Sequence, residues 1–259
     1  MITALVIGIG TGSPGHLTQE AVAALNRVDV FLVADKGPDK EDLVALRNEI
    51  CRTFITGHQY RMVEVPDPVR GPDRDRDAGA YRAGVDLWHR RRADSYADII
   101  QAELGGGGTV GFLVWGDPAL YDSTIRIVQL MQESAGFPIE LSVIPGISSL
   151  QVLAARHQIV LNRVGQPIHI TTGRRLVAEY DPVLGDVLVM LDGDLACAQL
   201  LEDHPDLRIF WGAQLGLPDE TLISGRLDEV IDDIRRTRTA IRQHRGWVMD
   251  TYLLRPSEM

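Results

Sequence analysis

The chain has 259 residues, of which 45% are hydrophobic, and a formal net charge of −10 at pH 7. This length suits one large domain or two ordinary ones. The acidic balance argues against a nucleic-acid partner, because a nucleic-acid surface needs a basic excess. An anionic small-molecule substrate stays possible, since a local arginine cluster can bind one inside an acidic protein.

No apolar run reaches the roughly 18–20 residues that a membrane helix needs, so no membrane association is expected. The chain opens without the basic segment of a secretory signal, which favours a cytoplasmic protein. Its two cysteines, Cys51 and Cys197, lack metal-ligand spacing. We therefore expect two buried reduced thiols and no metal site.

The first part of the chain alternates strand and helix patterns. In chain order these are strand 4–9, helix 19–26, strand 28–34, helix 40–50, strand 61–65, helix 86–104, strand 110–114, helix 124–132 and strand 141–144. Thr18 is positioned to cap the first helix. Continuous apolar strands alternating with helices predict a parallel sheet with flanking helices.

The pattern changes after residue 145, where strands become more frequent and connections shorter. The predicted elements are helix 149–157, strands 168–172, 187–191, 208–211 and 221–224, helix 227–236 and strand 246–254. They predict a second α/β domain with a mixed sheet. The expected domains are residues 1–145 and 146–259.

Three turns rich in glycine and proline follow strands of the first domain: GIGTGSPGHLT from Gly8, GDPALYDS from Gly116 and IPGISS from Ile144. The carboxyl ends of the strands are where open α/β sheets bind ligands. The first turn begins like a dinucleotide-binding motif, and Asp35 ends the next strand, but Ser13 stands in place of a motif glycine. A nicotinamide or flavin site and a plain structural turn remain alternatives for it. Ser148 or Ser149 could also serve only as a helix cap.

GIGTGSPGHLT, GDPALY and IPGISS, in this order and at these intervals, resemble the tetrapyrrole (class III) S-adenosylmethionine-dependent methyltransferases of corrin and sirohaem synthesis. The resemblance extends over essentially the whole chain and ends with RIFWGAQLGLPDETLISGRL. The first 30 residues from Gly8, the YDST after GDPAL and MLDG at residues 190–193 are most similar to members that methylate precorrin-5. That resemblance implies C-methylation at ring carbon C-1 with release of acetate, giving precorrin-6A in aerobic cobalamin synthesis.

The resemblance also implies S-adenosylmethionine as cofactor, S-adenosylhomocysteine as product, a cofactor cleft between the two domains and a homodimer. Relatives usually read Gly-x-Gly-Pro-Gly-Asp in the first turn, whereas this chain has Thr11 and Ser13 in the proline and aspartate places. That departure suggests a turn that faces substrate. The cofactor contacts implied by position are Thr11, Trp115, Gly116, Asp117, Leu120, Tyr121, Ser148, Ser149, Leu191, Asp192, Ala213 and Leu215.

Losing an acetyl group requires a water to attack a carbonyl, which calls for a general base or an oxyanion stabiliser. Asp122 is the preferred base because many relatives carry glycine or serine there, and Tyr121 and His16 are further catalytic candidates. Asp35 is a candidate for contact with the substrate.

Precorrin-5 carries many carboxylates, and arginine's planar fork suits them. Arg74 and Arg82, in the basic stretch from residue 70 to residue 92, are therefore the substrate-binding candidates. A solvated loop and helix face balanced by aspartates is the alternative for that stretch. For the whole chain, the alternatives are a methyltransferase acting at another precorrin position or on a non-corrinoid substrate, and a non-catalytic nucleotide-binding module.

Overall fold

A computed structural model describes residues 1–35, 41–68 and 78–256, with the backbone alone at residues 35, 41–42 and 78–82. The chain divides into two compact units. The first comprises Met1–Gly10 and Pro14–Ile147, and the second comprises Thr11–Ser13 and Ser148–Met259. The domain boundary expected between residues 145 and 146 stays a prediction.

The first unit contains five strands and four α-helices within its described residues. In chain order they are β1 (Ile2–Gly8), α1 (Gln19–Leu25), β2 (Val30–Asp35), α2 (Glu41–Phe54), β3 (Arg61–Pro66), α3 (Ala78–Leu104), β4 (Gly108–Val114), α4 (Thr124–Ser134) and β5 (Ile139–Ile144). The Thr18 hydroxyl accepts a hydrogen bond from the amide of Ala21 at 3.0 Å, which confirms the predicted cap of α1.

The five strands form one parallel sheet in the order β3-β2-β4-β1-β5. Helices α1 and α2 pack on one face, around Leu5 and Phe31. Helices α3 and α4 pack on the other face, around Val6 and Phe112. The turn after β4 therefore leads to the opposite face from the turns after its neighbours β1 and β2. Diverging turns open a crevice at the carboxyl edge of a sheet, where α/β proteins bind ligands.

The second unit has a mixed sheet in the order β6-β7-β10-β8-β9, in which β6 and β7 pair in parallel and the other neighbours pair antiparallel. Trp211 and Tyr252 are fully buried at its centre. Its elements are α5 (Ser149–His157), β6 (Ile168–Thr172), α6 (Gly173–Glu179), β7 (Asp186–Met190), β8 (Arg208–Ala213), β9 (Thr221–Arg226), α7 (Leu227–Arg245) and β10 (Asp250–Arg255).

The predicted fold class, an α/β protein with a parallel sheet followed by a mixed sheet, is confirmed. The details required correction. Helix α3 begins eight residues before the predicted start, helix α7 ends nine residues after the predicted end, and α6 was not predicted. Strand β10 begins at Asp250 and not at Gly246, because Gly246 ends α7 in a left-handed conformation.

Cys51 and Cys197 are buried and unpaired, as expected, and burial raises the pKa of each thiol to about 12. Within the described ranges, no helix is long and apolar enough to span a membrane.

Candidate active site

The turns after β1, β4 and β5 pack backbone against backbone in the first unit. Gly10 and Gly116 exchange two hydrogen bonds, of 2.7 and 3.4 Å. A Cβ atom added at Gly146 would lie 2.1 Å from the carbonyl oxygen of Gly116, and one added at Gly8 would lie 2.6 Å from the nitrogen of Gly146. The resemblance implied that Gly116 contacts the cofactor. The close approach observed is that of the two neighbouring turns.

Asp117 links the turn after β4 to the turn after β5 through a hydrogen bond of its side chain. One carboxylate oxygen accepts a hydrogen bond from the amide of Gly146 at 2.9 Å, and the other accepts one from the amide of Ala119 at 2.8 Å. An aspartate that accepts from an amide two residues later forms a turn of its own. Both oxygens of this predicted cofactor contact therefore shape the loop itself.

Farther along this turn, Tyr121 and Asp122 are exposed, whereas Pro118 is buried. Tyr121 has a positive φ of 52° and an exposure of 46%. Such a conformation costs a non-glycine residue about 1–2 kcal/mol and is concentrated at functional sites. Asp122 is exposed, and one of its oxygens accepts a hydrogen bond from the amide of Thr124 at 2.7 Å, at the start of α4. Trp115 and Leu120 are half-buried.

Arg47 of α2 approaches the same turn and was missed in the sequence. Its Nε donates to the carbonyl of Leu113 at 3.4 Å and its Nη1 to that of Leu43 at 3.2 Å. The guanidinium lies over the ring of Trp115, 5.2 Å from the centroid. Burial lowers the pKa of Arg47 to about 10, against the opposing effect of Asp122. Its position on the apolar stripe of α2 was the signal that could have revealed it.

A second partly apolar cluster surrounds Arg92 of α3. Its Nη2 donates to the Tyr96 hydroxyl at 2.5 Å, its Nε lies 3.4 Å from the Asp67 carboxylate, and its guanidinium stacks over Trp88. Burial raises the pKa of Tyr96. Arg92 belongs to the basic stretch noted in the sequence. Here it is already paired within the protein.

The remaining candidates of the first unit are placed as follows. His16 ends a short 3₁₀ turn, Pro14–His16, and its Cβ would lie 2.6 Å from a Cβ added at Gly10. Asp35 ends β2 and Arg82 lies in α3, but neither side chain is described. Arg74 lies outside the described residues.

In the second unit, Ser148 precedes α5 as its N-cap. Its amide donates to Oε1 of Gln151 at 2.9 Å, and its hydroxyl contacts the same oxygen. Ser148 is buried, whereas Ser149, the first residue of the helix, is half-buried. Thr11, also grouped with this unit, is buried.

The strand end at MLDG places two predicted cofactor residues in opposite surroundings. Leu191 has a φ of 53° and is 65% exposed. Asp192 is 5% exposed, and its carboxylate accepts hydrogen bonds from the amides of Asp194 and Ala196 and from the Tyr252 hydroxyl, at 3.2, 2.7 and 2.5 Å. Leu191 is exposed to solvent, and the hydrogen bonds of Asp192 hold the loop that exposes it.

A buried ion pair supports this loop from behind. Nη2 of Arg238 donates to the carbonyl of Asp192 at 2.6 Å, and its Nε lies 3.1 Å from the Asp250 carboxylate. The indole nitrogen of Trp211 donates to the same carboxylate at 2.8 Å. Burial raises the pKa of Asp250 to about 6, although Arg238 opposes the shift.

Ala213 and Leu215, the last predicted cofactor contacts, are buried at the end of β8 and flank Gln214. Gln214 has a φ of 53° and is fully buried. Its side-chain oxygen accepts from the amide of Met249 at 3.4 Å, but its NH₂ group has no acceptor in the described part of the chain. A buried donor without a partner is costly, and a bound ligand can satisfy it.

Residues 4–231 match the family model of the tetrapyrrole (corrin/porphyrin) methylases. The chain belongs to this family. The three turns of the first unit, from which the resemblance was drawn, thus identified the family correctly. In the parts of this methylase that the structure describes, no group of three or more histidine, cysteine or acidic residues is arranged to hold a metal ion.

Relatives of this methylase extend the match over its whole length. It is 48% identical over 251 residues to the precorrin-6A synthase [deacetylating] of a Sinorhizobium species, covering 97% of this chain and 94% of the relative. A crystal structure of a cobalamin-synthesis-related protein (CobF) from Corynebacterium diphtheriae is also similar to this chain. The identity is 38% and the TM-score is 0.82, with full coverage of both chains. A uroporphyrin-III C-methyltransferase of Thermus thermophilus, in complex with S-adenosylhomocysteine, has the same fold: TM-score 0.58, 19% identity, and coverage of 97% and 91%.

Proposed function

We propose that this methylase is an S-adenosylmethionine-dependent C-methyltransferase that converts precorrin-5 into precorrin-6A, methylating ring carbon C-1 and releasing acetate. One observation carries this assignment of substrate: the 48% identity to a deacetylating precorrin-6A synthase, over 97% of the chain. The crevice at the carboxyl edge of the first sheet, where the turn after β4 diverges from its neighbours, supports a ligand site there.

We propose that the cofactor contacts come from the turn of residues 115–121 in the first unit. In the second unit they come from the region of Ser148 and Ser149, the loop at Leu191 and the strand end at Ala213–Leu215. The buried NH₂ group of Gln214 fits such a ligand, because adenosine offers several hydrogen-bond acceptors. The exposed Leu191 offers it an apolar surface. When bound, the cofactor supplies an electrophilic methyl group, so the protein's task is alignment of donor and acceptor.

Release of acetate requires one water molecule. The water adds to the acetyl carbonyl, the bond from that carbonyl carbon to the ring breaks, and its electron pair stays with the macrocycle. We propose that Asp122 accepts the proton of this water. One of its oxygens is held by the amide of Thr124, which fixes the direction of the other. Tyr121 and His16 remain candidates for stabilising the oxyanion.

The assay is incubation of the purified protein with S-adenosylmethionine and precorrin-5, with product mass and free acetate measured together. Methyl gain with one acetate per turnover is the expected result. Methyl gain without acetate would place the reaction at another ring position, and absence of transfer would overturn the substrate assignment. Replacing Asp122 by Asn should slow acetate release by about 100-fold or more if it is the general base. A homodimer and a cytoplasmic location stay predictions, the first testable by analytical ultracentrifugation.

A further inference from the structure

Among the described residues, Arg47 is a cation at the crevice without a carboxylate partner of its own. Arg47 is half-buried, and an arginine withdrawn from water is usually paired. The two hydrogen bonds of this guanidinium go to backbone carbonyls, of Leu43 and Leu113, and it forms no ion pair with any described residue. Arg92 in the same unit differs, because Asp67 and Tyr96 engage it.

The surroundings of Arg47 have more hydrogen-bond donors than acceptors. A guanidinium has five N–H donors in a rigid fork. The indole N–H of Trp115, whose ring lies against this guanidinium, also has no acceptor within the described residues. Asp122 is close enough to act on Arg47 electrostatically but does not pair with it. An anion would therefore complete the arrangement.

The contacts of Arg47 hold it in place while leaving donors available. The carbonyl of Leu113 fixes its Nε at the end of β4, and stacking on Trp115 fixes the plane of the fork. A guanidinium held in this way loses little further freedom when it binds a carboxylate through two parallel hydrogen bonds. Since Arg47 comes from α2 and Asp122 from the turn leading to α4, the two approach the crevice from elements on opposite faces of the sheet.

We propose that Arg47 binds a carboxylate of the tetrapyrrole substrate and so holds the macrocycle beside Asp122. The inference rests on the proposed function and names the residue that recognises the substrate's charge. It replaces Arg74 and Arg82 as the first substrate contact to test.

The test compares Arg47→Gln and Arg47→Lys with the unchanged protein. For Arg47→Gln we expect the KM for precorrin-5 to rise about tenfold or more, as loss of a charge-assisted hydrogen bond predicts. The dissociation constant of S-adenosylhomocysteine, measured by calorimetry, should stay within about twofold. Arg47→Lys should raise the KM for precorrin-5 by less than Arg47→Gln does, because lysine keeps the positive charge but lacks the planar guanidinium. Arg61→Gln is the control, since Arg61 is 59% exposed and pairs with Glu103.

An unchanged KM in both variants would overturn the inference. A further measurement separates it from the substrate assignment: quenching of tryptophan fluorescence by an octacarboxylate porphyrin, which requires no turnover. If the protein does not act on precorrin-5 but the porphyrin binds and Arg47→Gln weakens binding about tenfold, the substrate assignment fails and the Arg47 inference stands. Porphyrin binding that is equal in both proteins would also overturn it. If Arg47→Gln does not fold, Arg47→Lys decides.

Discussion

The two units position their candidate ligand loops by different means. In the first unit, three turns are held by direct contact of their backbones at Gly8, Gly116 and Gly146, with Asp117 as a half-exposed fastener. In the second, a buried network of charged and hydroxyl groups around Asp192 supports an exposed loop. Both predicted cofactor aspartates accept hydrogen bonds from the amides of their own loops. The difference is that the first arrangement depends on the absence of side chains, and the second on their presence.

Gly146→Ala should have the largest effect on stability, because it disrupts the backbone contact between the turns of the first unit. The added Cβ would lie 2.1 Å from a backbone oxygen that no side-chain rotation can move. We expect a loss of about 3–5 kcal/mol in the free energy of unfolding, measured by denaturant titration. Gly106→Ala is the matched control, because a Cβ there meets nothing within 4 Å and the residue does not have a positive φ. Equal stability of the two variants would show that the turns do not depend on this contact.

Asp192→Asn should have the second largest effect on stability, because it disrupts the buried network of the second unit. Three donors converge on the buried carboxylate, and an amide offers one acceptor oxygen and a competing NH₂ group. A loss of about 2–4 kcal/mol is expected, since buried groups are left unpaired. Thermal unfolding followed by circular dichroism provides the measurement. A variant as stable as the unchanged protein would contradict the role assigned to the network.

The same network predicts a dependence on pH. The pKa of Asp250 is about 6 in the folded protein, above the ordinary aspartate value of 3.8, so between these values the folded state binds more protons than the unfolded state. Its contribution to stability is thus complete below about pH 4 and is lost as the pH rises through 6. Relative to Asp250→Asn, the unchanged protein should lose about 2–3 kcal/mol over that range. If the free energy of unfolding of the two proteins changed with pH in the same way, this prediction would be refuted.

Asp117→Asn sharpens the comparison by making the same substitution at Asp117, which is half-exposed. Two donors are affected instead of three, and water can replace a lost partner, so we expect a loss of only about 1 kcal/mol. The ratio of the Asp117→Asn and Asp192→Asn effects, measured under identical conditions, is the quantity of interest. A larger effect at Asp117 would reverse our account of the two units.

The sequence was sufficient to predict the fold class and the family, because apolar strands and glycine-rich turns are local features. The ends of the long helices were harder to predict. Helix α7 extends beyond its predicted end to Arg245 through a segment in which the apolar pattern is sparse. Arg238 and Arg245 of that segment pair with Asp250 and Asp219, contacts between distant parts of the sequence. Helix α6 begins at a glycine that the pattern marks as a break. A Cβ there would lie 2.4 Å from Asp192, a contact between distant parts of the sequence.

The site was predicted in outline and not in its chemistry. The turn containing Asp117 and the loop at Leu191 were identified by position, but the engagement of Asp117 and Asp192 by amides depends on how each loop folds back. Arg47 was missed because a single arginine on an apolar helix stripe acquires meaning only when Leu113 and Trp115 are placed beside it. The roles of Asp122, Tyr121 and His16 stay predictions.

The contact of three turns through glycine backbones limits how this protein can be redesigned. A residue inserted in any one of these turns would separate it from the other two, so their lengths cannot be varied one at a time. Changes of substrate preference are better sought in side chains that project from the turns, such as Tyr121, and in residues of neighbouring helices, such as Arg47. A library that randomises those positions and leaves Gly8, Gly116 and Gly146 untouched would keep the scaffold intact while exploring new substrates.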